Sequence, residues 1–246
     1  MRIPRIYTGQ VLQAETEFDL EPGPSQHVAR ALRMQAGDDL VLFDGRGGEY
    51  PASIITVDRK RVVVRCQQLR PREAESALSI HLGIAVSRGE RMDWVVQKAT
   101  ELGVATISPL LTARTEVKLN EERTRKKLQH WQGVVVSACE QCGRNRLPAI
   151  HPVTDLQSWL GAATAENKYV LHHRAGDHID SRARPRSVAL LIGPEGGLDD
   201  IEIEAAEKAG FQAMQLGPRV LRTETAPLAA LAIIQSRWGD MGSNGD

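Results

Sequence analysis

Ala189-Leu-Leu-Ile-Gly193-Pro-Glu-Gly-Gly197-Leu-Asp-Asp-Ile-Glu-Ile-Glu204 decides how the larger part of this chain is read. An apolar strand runs into a glycine-rich loop, and a helix then begins. Asp199 followed three residues later by Glu202 has the spacing of a reciprocal cap, and Gly210 suits the helix end. In α/β proteins, a loop at the carboxyl end of a parallel strand is where ligands bind. The loop has neither the Gly-Lys-Ser/Thr ending of a phosphate cradle nor a Gly-x-Gly-x-x-Gly pattern. It carries Glu195 instead, with Asp199 and Asp200 downstream, and carboxylates beside a pyrophosphate would repel it. A cationic nucleoside without phosphates, such as S-adenosyl-L-methionine, fits this loop better. A glycine turn that binds nothing is the plainer alternative.

A second stretch has the same plan. Leu216-Gly-Pro-Arg-Val-Leu-Arg-Thr-Glu-Thr-Ala-Pro-Leu228 follows the short apolar segment 213–216 and opens into a helix reaching Trp238. Pro227 suits the first helical turn, where its missing N–H costs nothing. Two arginines and Glu224 in one loop make a polar pocket. Ordinary capping by Thr223 or Thr225, with Glu224 favouring the helix dipole, explains the same residues without one.

Outward from these loops, strands alternate with helices. Strands are expected at 78–86, 104–110, 169–172 and 187–192, and helices at 93–102, ended by Gly103, and at 121–142. That alternation predicts a mostly parallel sheet covered on both faces. The first seventy residues differ. Strands at 39–44, 49–57 and 61–65, with glycine turns and one short helix over 27–34, suggest a small barrel. The polar run Arg70-Pro-Arg-Glu-Ala-Glu-Ser76 reads as a linker. The expected division is a β domain over 1–72, an α/β domain over 76–240 and a disordered tail over 241–246.

Composition sets the outer limits. The 246 residues are 41% hydrophobic and 25% charged, ordinary for a globular protein. No apolar run approaches the roughly 20 residues that span a bilayer. The opening Met1-Arg2-Ile3-Pro4-Arg5-Ile6-Tyr7 lacks the pattern of a signal peptide, so the expected location is cytoplasmic. Lys plus Arg and Asp plus Glu each number 31, which argues against strong non-specific binding to nucleic acid. Local basic character persists at Lys118, Arg123, Arg125, Lys126, Lys127, Arg144 and Arg146, where a solvated helix face is the bland reading. Cys139 and Cys142 have the spacing of half a zinc site but no matching second pair, so no metal is expected.

The strings IGPEGGL and LGPRVLRTETAPLAAL resemble the signature of the RsmE family, the 16S rRNA uracil-N3 methyltransferases of the SPOUT superfamily. The resemblance extends to Ser87–Trp94, Gln97–Val104, Ala138–Arg146, Arg2–Tyr7 and Val41–Gly45, nearly the whole chain. It implies a PUA-like β-barrel followed by an α/β domain with a deep trefoil knot, assembled as a homodimer. It also implies S-adenosyl-L-methionine as cofactor and 16S rRNA of the small ribosomal subunit as partner. Chain rules alone predict no knot.

The residue roles follow the same resemblance. Backbone contacts to the cofactor fall to Gly193, Gly196, Leu216, Gly217 and Leu221, with Leu171 and His172 at the neighbouring strand end. Pro194, Glu195, Gly197, Arg219 and Thr225 complete that pocket, Glu195 at the ribose or the sulfonium. Glu224, the one acidic residue among the loop arginines, is the expected base, with positioning alone as the alternative, and Arg222 stabilises charge or holds RNA. Expected RNA contacts are Arg2, Arg5, Arg30, Arg33, Arg88, Lys118, Arg144 and Arg146. His173 is considered with His172 because the pair ends a strand. Within the same enzyme class, a tRNA or a ribose 2′-hydroxyl is the rival substrate. Outside it, the rival is an RNA-binding assembly factor without turnover.

Overall fold

The computed structural model describes residues 3–58, 61–117, 120–172 and 184–242. Arg2, Lys118, His173 and positions 243–246 of the tail lie outside them. The chain divides into two compact units, 1–75 with 136–147, and 76–135 with 148–246.

The first unit contains β1 (Arg5–Tyr7), β2 (Glu17–Asp19), α1 (Pro22–Gln26), β3 (Asp39–Phe43), β4 (Tyr50–Val57) and β5 (Val62–Cys66). They form one five-stranded sheet in the order β1-β3-β4-β5-β2, antiparallel except for β1 beside β3. Alternate residues face the core: Leu40 and Leu42, Ala52 and Ile54, then Val62, Val64 and Cys66, as a pleated strand with one buried face requires. The short helix expected at 27–34 starts earlier, at Pro22, and widens into a π-helical turn over His27–Ala31 that buries Val28.

Segment 136–147 joins this unit through charge. Arg5 pairs with Glu49 and reaches Asn145, and both side chains of the pair are under a tenth exposed. Arg72 bridges Glu49 at 3.3 Å and the Gly143 carbonyl at 3.0 Å. Arg144 is 2.6 Å from Glu75, and the Tyr7 N–H donates to Glu140 at 3.0 Å. Burial pushes the Glu49 carboxyl upward, but Arg5 and Arg72 outweigh it and hold it below the usual carboxylate range.

The second unit is β6 (Ser79–Ala85), α2 (Glu90–Glu101), β7 (Thr106–Leu111), α3 (Glu121–Cys142), whose last turns count with the first unit, β8 (Ala149–Ile150), β9 (Thr154–Asp155), α4 (Leu156–Ala162), β10 (Asn167–Leu171), β11 (Ser187–Ile192), α5 (Asp200–Lys208), β12 (Gln212–Met214) and α6 (Ala226–Trp238). The sheet order is β12-β10-β11-β6-β7-β8 with β9 also on β7, and every pairing is parallel. Its central strands are buried almost continuously, Val188 to Leu191 in β11 and Leu82 to Ala85 in β6. A sheet covered on both faces needs such strands. Gly103 and Gly210 follow α2 and α5 with positive φ, as expected.

One polar cluster interrupts this core. His81 Nε2 lies 2.8 Å from Ser108 Oγ and 3.2 Å from Trp159 Nε1, and Ser108 Oγ lies 3.2 Å from His151 Nδ1. An indole N–H only donates, so His81 Nε2 accepts and the ring is neutral. Burial, reinforced by His151, lowers the His81 pKa to about 4. The folded state therefore resists a proton that the unfolded chain takes up near pH 6.5. The associated stability is fully present above about pH 6.5 and is lost as pH falls towards about 4, up to about 3 kcal/mol. Urea midpoints for wild type and His81→Gln across pH 7 to 4.5 are expected to show the steeper fall in wild type. Parallel curves would refute the assignment.

For the ion network, Glu49→Ala leaves Arg5 buried and unpaired, and a stability loss of about 3 kcal/mol is expected in urea unfolding. A loss below about 1 kcal/mol would show that this unit does not depend on the pair.

Candidate active site

At the carboxyl ends of β10, β11 and β12, a cleft of about 240 Å³ opens between the two loops that follow β11 and β12. Its shape originates in the turn after β11. The Gly197 N–H donates to the Pro194 carbonyl at 2.8 Å, closing a β-turn. A side chain at Gly193 would place Cβ 2.9 Å from the Leu198 nitrogen, so the backbone folds back only because that position is glycine. Downstream, Asp199 and Glu202 form the reciprocal cap of α5: the Glu202 N–H donates to Asp199 at 2.8 Å, and the Asp199 N–H donates to Glu202 at 3.0 Å. The other Glu202 oxygen accepts from the Ala113 N–H at 2.7 Å. Arg114 donates to the Gly196 carbonyl at 2.7 Å. The segment after β7 therefore clamps the turn from outside.

The second loop supplies the opposite wall. Gly217 sits at φ +89°, a region that costs any L side chain, and open space lies beside it. Among the described residues, the N–H groups of Leu216, Gly217 and Leu221 make no hydrogen bond to a backbone carbonyl. Thr225 is the N-cap of α6 but its side chain makes no capping bond, and Pro227 falls in the first turn. The capping explanation of Thr225 thus does not apply.

Of the anticipated pocket residues, Leu171, His172, Gly193, Pro194, Glu195 and Gly197 line the cleft on one side. Leu216, Gly217, Arg219 and Leu221 line it on the other, while Gly196 and Thr225 lie off the lining. Ile192, Leu198 and Met214 add apolar wall that the sequence reading did not single out. Arg222 and Glu224 are outside the lining as well, and Thr223 is within it.

Electrostatics centre on Arg91, which the sequence reading passed over although it lies in a quoted motif. Arg91 Nη1 is 2.9 Å from Glu195 Oε1, and Nε is 3.9 Å from Glu224 Oε2. The Arg88 N–H also reaches Glu195, at 3.5 Å. Burial works to raise the Glu195 pKa, but its own backbone N–H, Arg91 and the Arg88 N–H together hold it below the usual value. The carboxylate at the cleft rim is anionic at neutral pH. Apolar walls, backbone donors that meet no backbone carbonyl among the described residues and the rim carboxylate Glu195 suit an uncharged base and a cation, and Arg219 is the cationic side chain among the described lining residues.

The anticipated RNA-binding arginines separate into two groups. Arg5 and Arg144 are buried, their guanidiniums engaged by Glu49 and Glu75. Arg30 and Arg33 are exposed, Arg33 with φ +54°. Arg88 is exposed and 3.1 Å from Glu116, and Arg146 is exposed and 3.8 Å from Glu73. Cys139 is buried, and its hydrogen bond with Cys142 and its burial both push the thiol pKa up, which disfavours the thiolate that metal binding and nucleophilic chemistry require.

A parallel α/β unit with a glycine-walled cleft at its strand ends, in a chain that also holds a small β unit, defines a class to which known relatives give a name. The family model for an RNA methyltransferase domain matches residues 74–235, and that for an RNA methyltransferase PUA domain matches residues 25–66. A ribosomal RNA small subunit methyltransferase E from Buchnera aphidicola is 34% identical over 98% of both chains, and one from Bacillus subtilis is 28% identical over 92% of this chain and 93% of its own. The chain belongs to the ribosomal RNA small subunit methyltransferase E family and is an RNA methyltransferase by that membership. Among solved structures, a protein from Legionella pneumophila, described as a methyltransferase in complex with the cofactor SAM, superposes with a TM-score of 0.95 at 43% identity, covering 98% of this chain and all of its own. The family enzyme from Neisseria gonorrhoeae, bound to S-adenosyl methionine, gives 0.91 at 36% identity over 97% and 99%.

Gly193→Ala is expected to open the turn, lowering Tm by several degrees for a cost of about 1–3 kcal/mol. Unchanged thermal unfolding would mean that Leu198 yields freely.

Proposed function

We propose that this chain transfers a methyl group from S-adenosyl-L-methionine to N3 of a uridine in 16S rRNA of the small ribosomal subunit. The observation that carries this reading is the cleft between the two glycine loops, in a chain that matches the family along nearly its full length. Bound S-adenosyl-L-methionine supplies an electrophilic methyl carbon on a sulfonium. Leu171, Ile192, Leu198 and Met214 suit an adenine, the N–H groups of Leu216, Gly217 and Leu221 suit its polar edge, and Glu195 suits the cationic end.

N3 of uracil carries a proton in the lone pair that must attack. The reaction breaks the N3–H and C–S bonds and forms N3–C, leaving a neutral thioether and one proton. Glu224 is the proposed acceptor of that proton, its carboxylate held near Arg91. Arg222 meets the negative charge that spreads onto the uracil oxygens. Pro194, Gly197, His172 and Arg219, which line the cleft, are further proposed cofactor contacts, while Gly196 and Thr225 belong to the loops around it. Exposed Arg30, Arg33, Arg88 and Arg146 are the proposed phosphate contacts, with Arg2 and Lys118, while Arg5 and Arg144 act by organising their own unit.

The finer architecture belongs to the same proposal. A trefoil knot is proposed from the family resemblance; α6 follows the edge strand β12 and packs on α2, where Gln235 donates to the Leu102 carbonyl at 2.9 Å. A homodimer is proposed from the family resemblance. Among the described residues no helix is long and apolar enough to cross a membrane, which accords with the proposed cytoplasmic location.

The test supplies methyl-labelled cofactor and small ribosomal subunits lacking the modification, then digests the RNA to nucleosides. Label in 3-methyluridine is expected, with Glu224→Gln about 10²–10⁴-fold slower at unchanged cofactor affinity and the active species sedimenting at twice the chain mass. Label on a ribose, in tRNA, or nowhere would overturn the reading.

A further inference from the structure

Arg91 faces two carboxylates with one guanidinium. It stands in the first turn of α2, 2.9 Å from Glu195 and 3.9 Å from Glu224, and its own side chain is 45% exposed. Glu195 lines the cleft, whereas Arg91 does not. The rim carboxylate can therefore be approached from the cleft on one side while Arg91 holds it from the other. A cation that takes Glu195 leaves Arg91 with only the longer contact to Glu224 at 3.9 Å, which weakens the attraction that holds the arginine.

We propose that Arg91 is an exchangeable counter-ion: a cationic cofactor takes over Glu195, and the released guanidinium is passed to an RNA phosphate. This rests on the function proposed above. The consequence is positive coupling between cofactor and RNA that depends on cofactor charge. Binding of either ligand strengthens the other by the same factor. Arg91 suits the role because a guanidinium is permanently charged and pairs with carboxylate or phosphate through the same planar fork. Its exposure leaves it room to move between them.

Because turnover would obscure affinity, the test uses two unreactive ligands. Sinefungin carries an ammonium where the cofactor has its sulfonium, and S-adenosylhomocysteine is a neutral thioether at that atom. The affinity of the intact protein for small ribosomal subunits lacking the modification is measured with each ligand at saturation, at several salt concentrations. Wild type is expected to bind the particle about tenfold more tightly with sinefungin than with S-adenosylhomocysteine. Its salt dependence should steepen by about one phosphate contact. Arg91→Gln is expected to bring that ratio to about one while still binding both ligands. Arg91→Lys, which keeps the charge and loses the fork, should recover part of it.

A purely structural role for Arg91 would lower both affinities together and leave the ratio intact, which would overturn the proposal. Equal wild-type affinities with the two ligands would overturn it as well. Failure of wild type to bind either ligand would instead sink the proposed function and this inference with it.

Discussion

The backbone reversal between Gly193 and Gly197 is the constraint on which the rest of the molecule depends. A buried parallel strand must leave the sheet, turn within five residues and start α5, and the turn must leave one face open. Gly193 permits the reversal because no Cβ meets Leu198. Glu202 then fixes it from two directions, capping α5 with one oxygen and holding the Ala113 N–H with the other. A buried carboxylate with both oxygens bonded is a stable anchor, whereas one with a free oxygen would be costly. The cleft is the space that this anchor leaves in front of β10 and β12.

Charge is spent with the same economy. A chain with 31 basic and 31 acidic side chains has no long-range field with which to attract RNA, so its cations must act locally. Two are nearly withdrawn from solvent: Arg5 and Arg144 lock segment 136–147 to the rest of the first unit through Glu49, Glu75 and Asn145. Removing either member of such a pair strands a charge, so these arginines are as fixed as core leucines. Arg30, Arg33, Arg88 and Arg146 remain at the surface, and Arg91 lies between the two groups, partly exposed and partnered at the cleft rim.

Much of this was legible from residue order because it is local. The cap at Asp199 and Glu202, Pro227 in the first turn of α6, the stops at Gly103 and Gly210, and strand β11 all follow from neighbours within a few positions. Helix α3 was readable over its whole length for the same reason. What the sequence could not show is long-range pairing. Arg91 meets Glu195 across 104 positions, and Arg114 meets Gly196 across 82; neither spacing has a pattern to recognise. Likewise nothing in Ala138–Arg146 announced that its arginine would be buried against Glu75. The π-helical turn at His27 escaped because the apolar spacing of Val28, Ala31 and Leu32 fits a regular helix equally well.

Cleft, rim carboxylate and family membership support methyl transfer from S-adenosyl-L-methionine to small-subunit rRNA, for which N3 of a uridine is the proposed acceptor. The most direct measurement is quantitative nucleoside analysis of small-subunit rRNA from cells with and without this protein. The account predicts one 3-methyluridine per particle that disappears on deletion and returns when the chain is restored. An unchanged 3-methyluridine level in the deleted cells would contradict it.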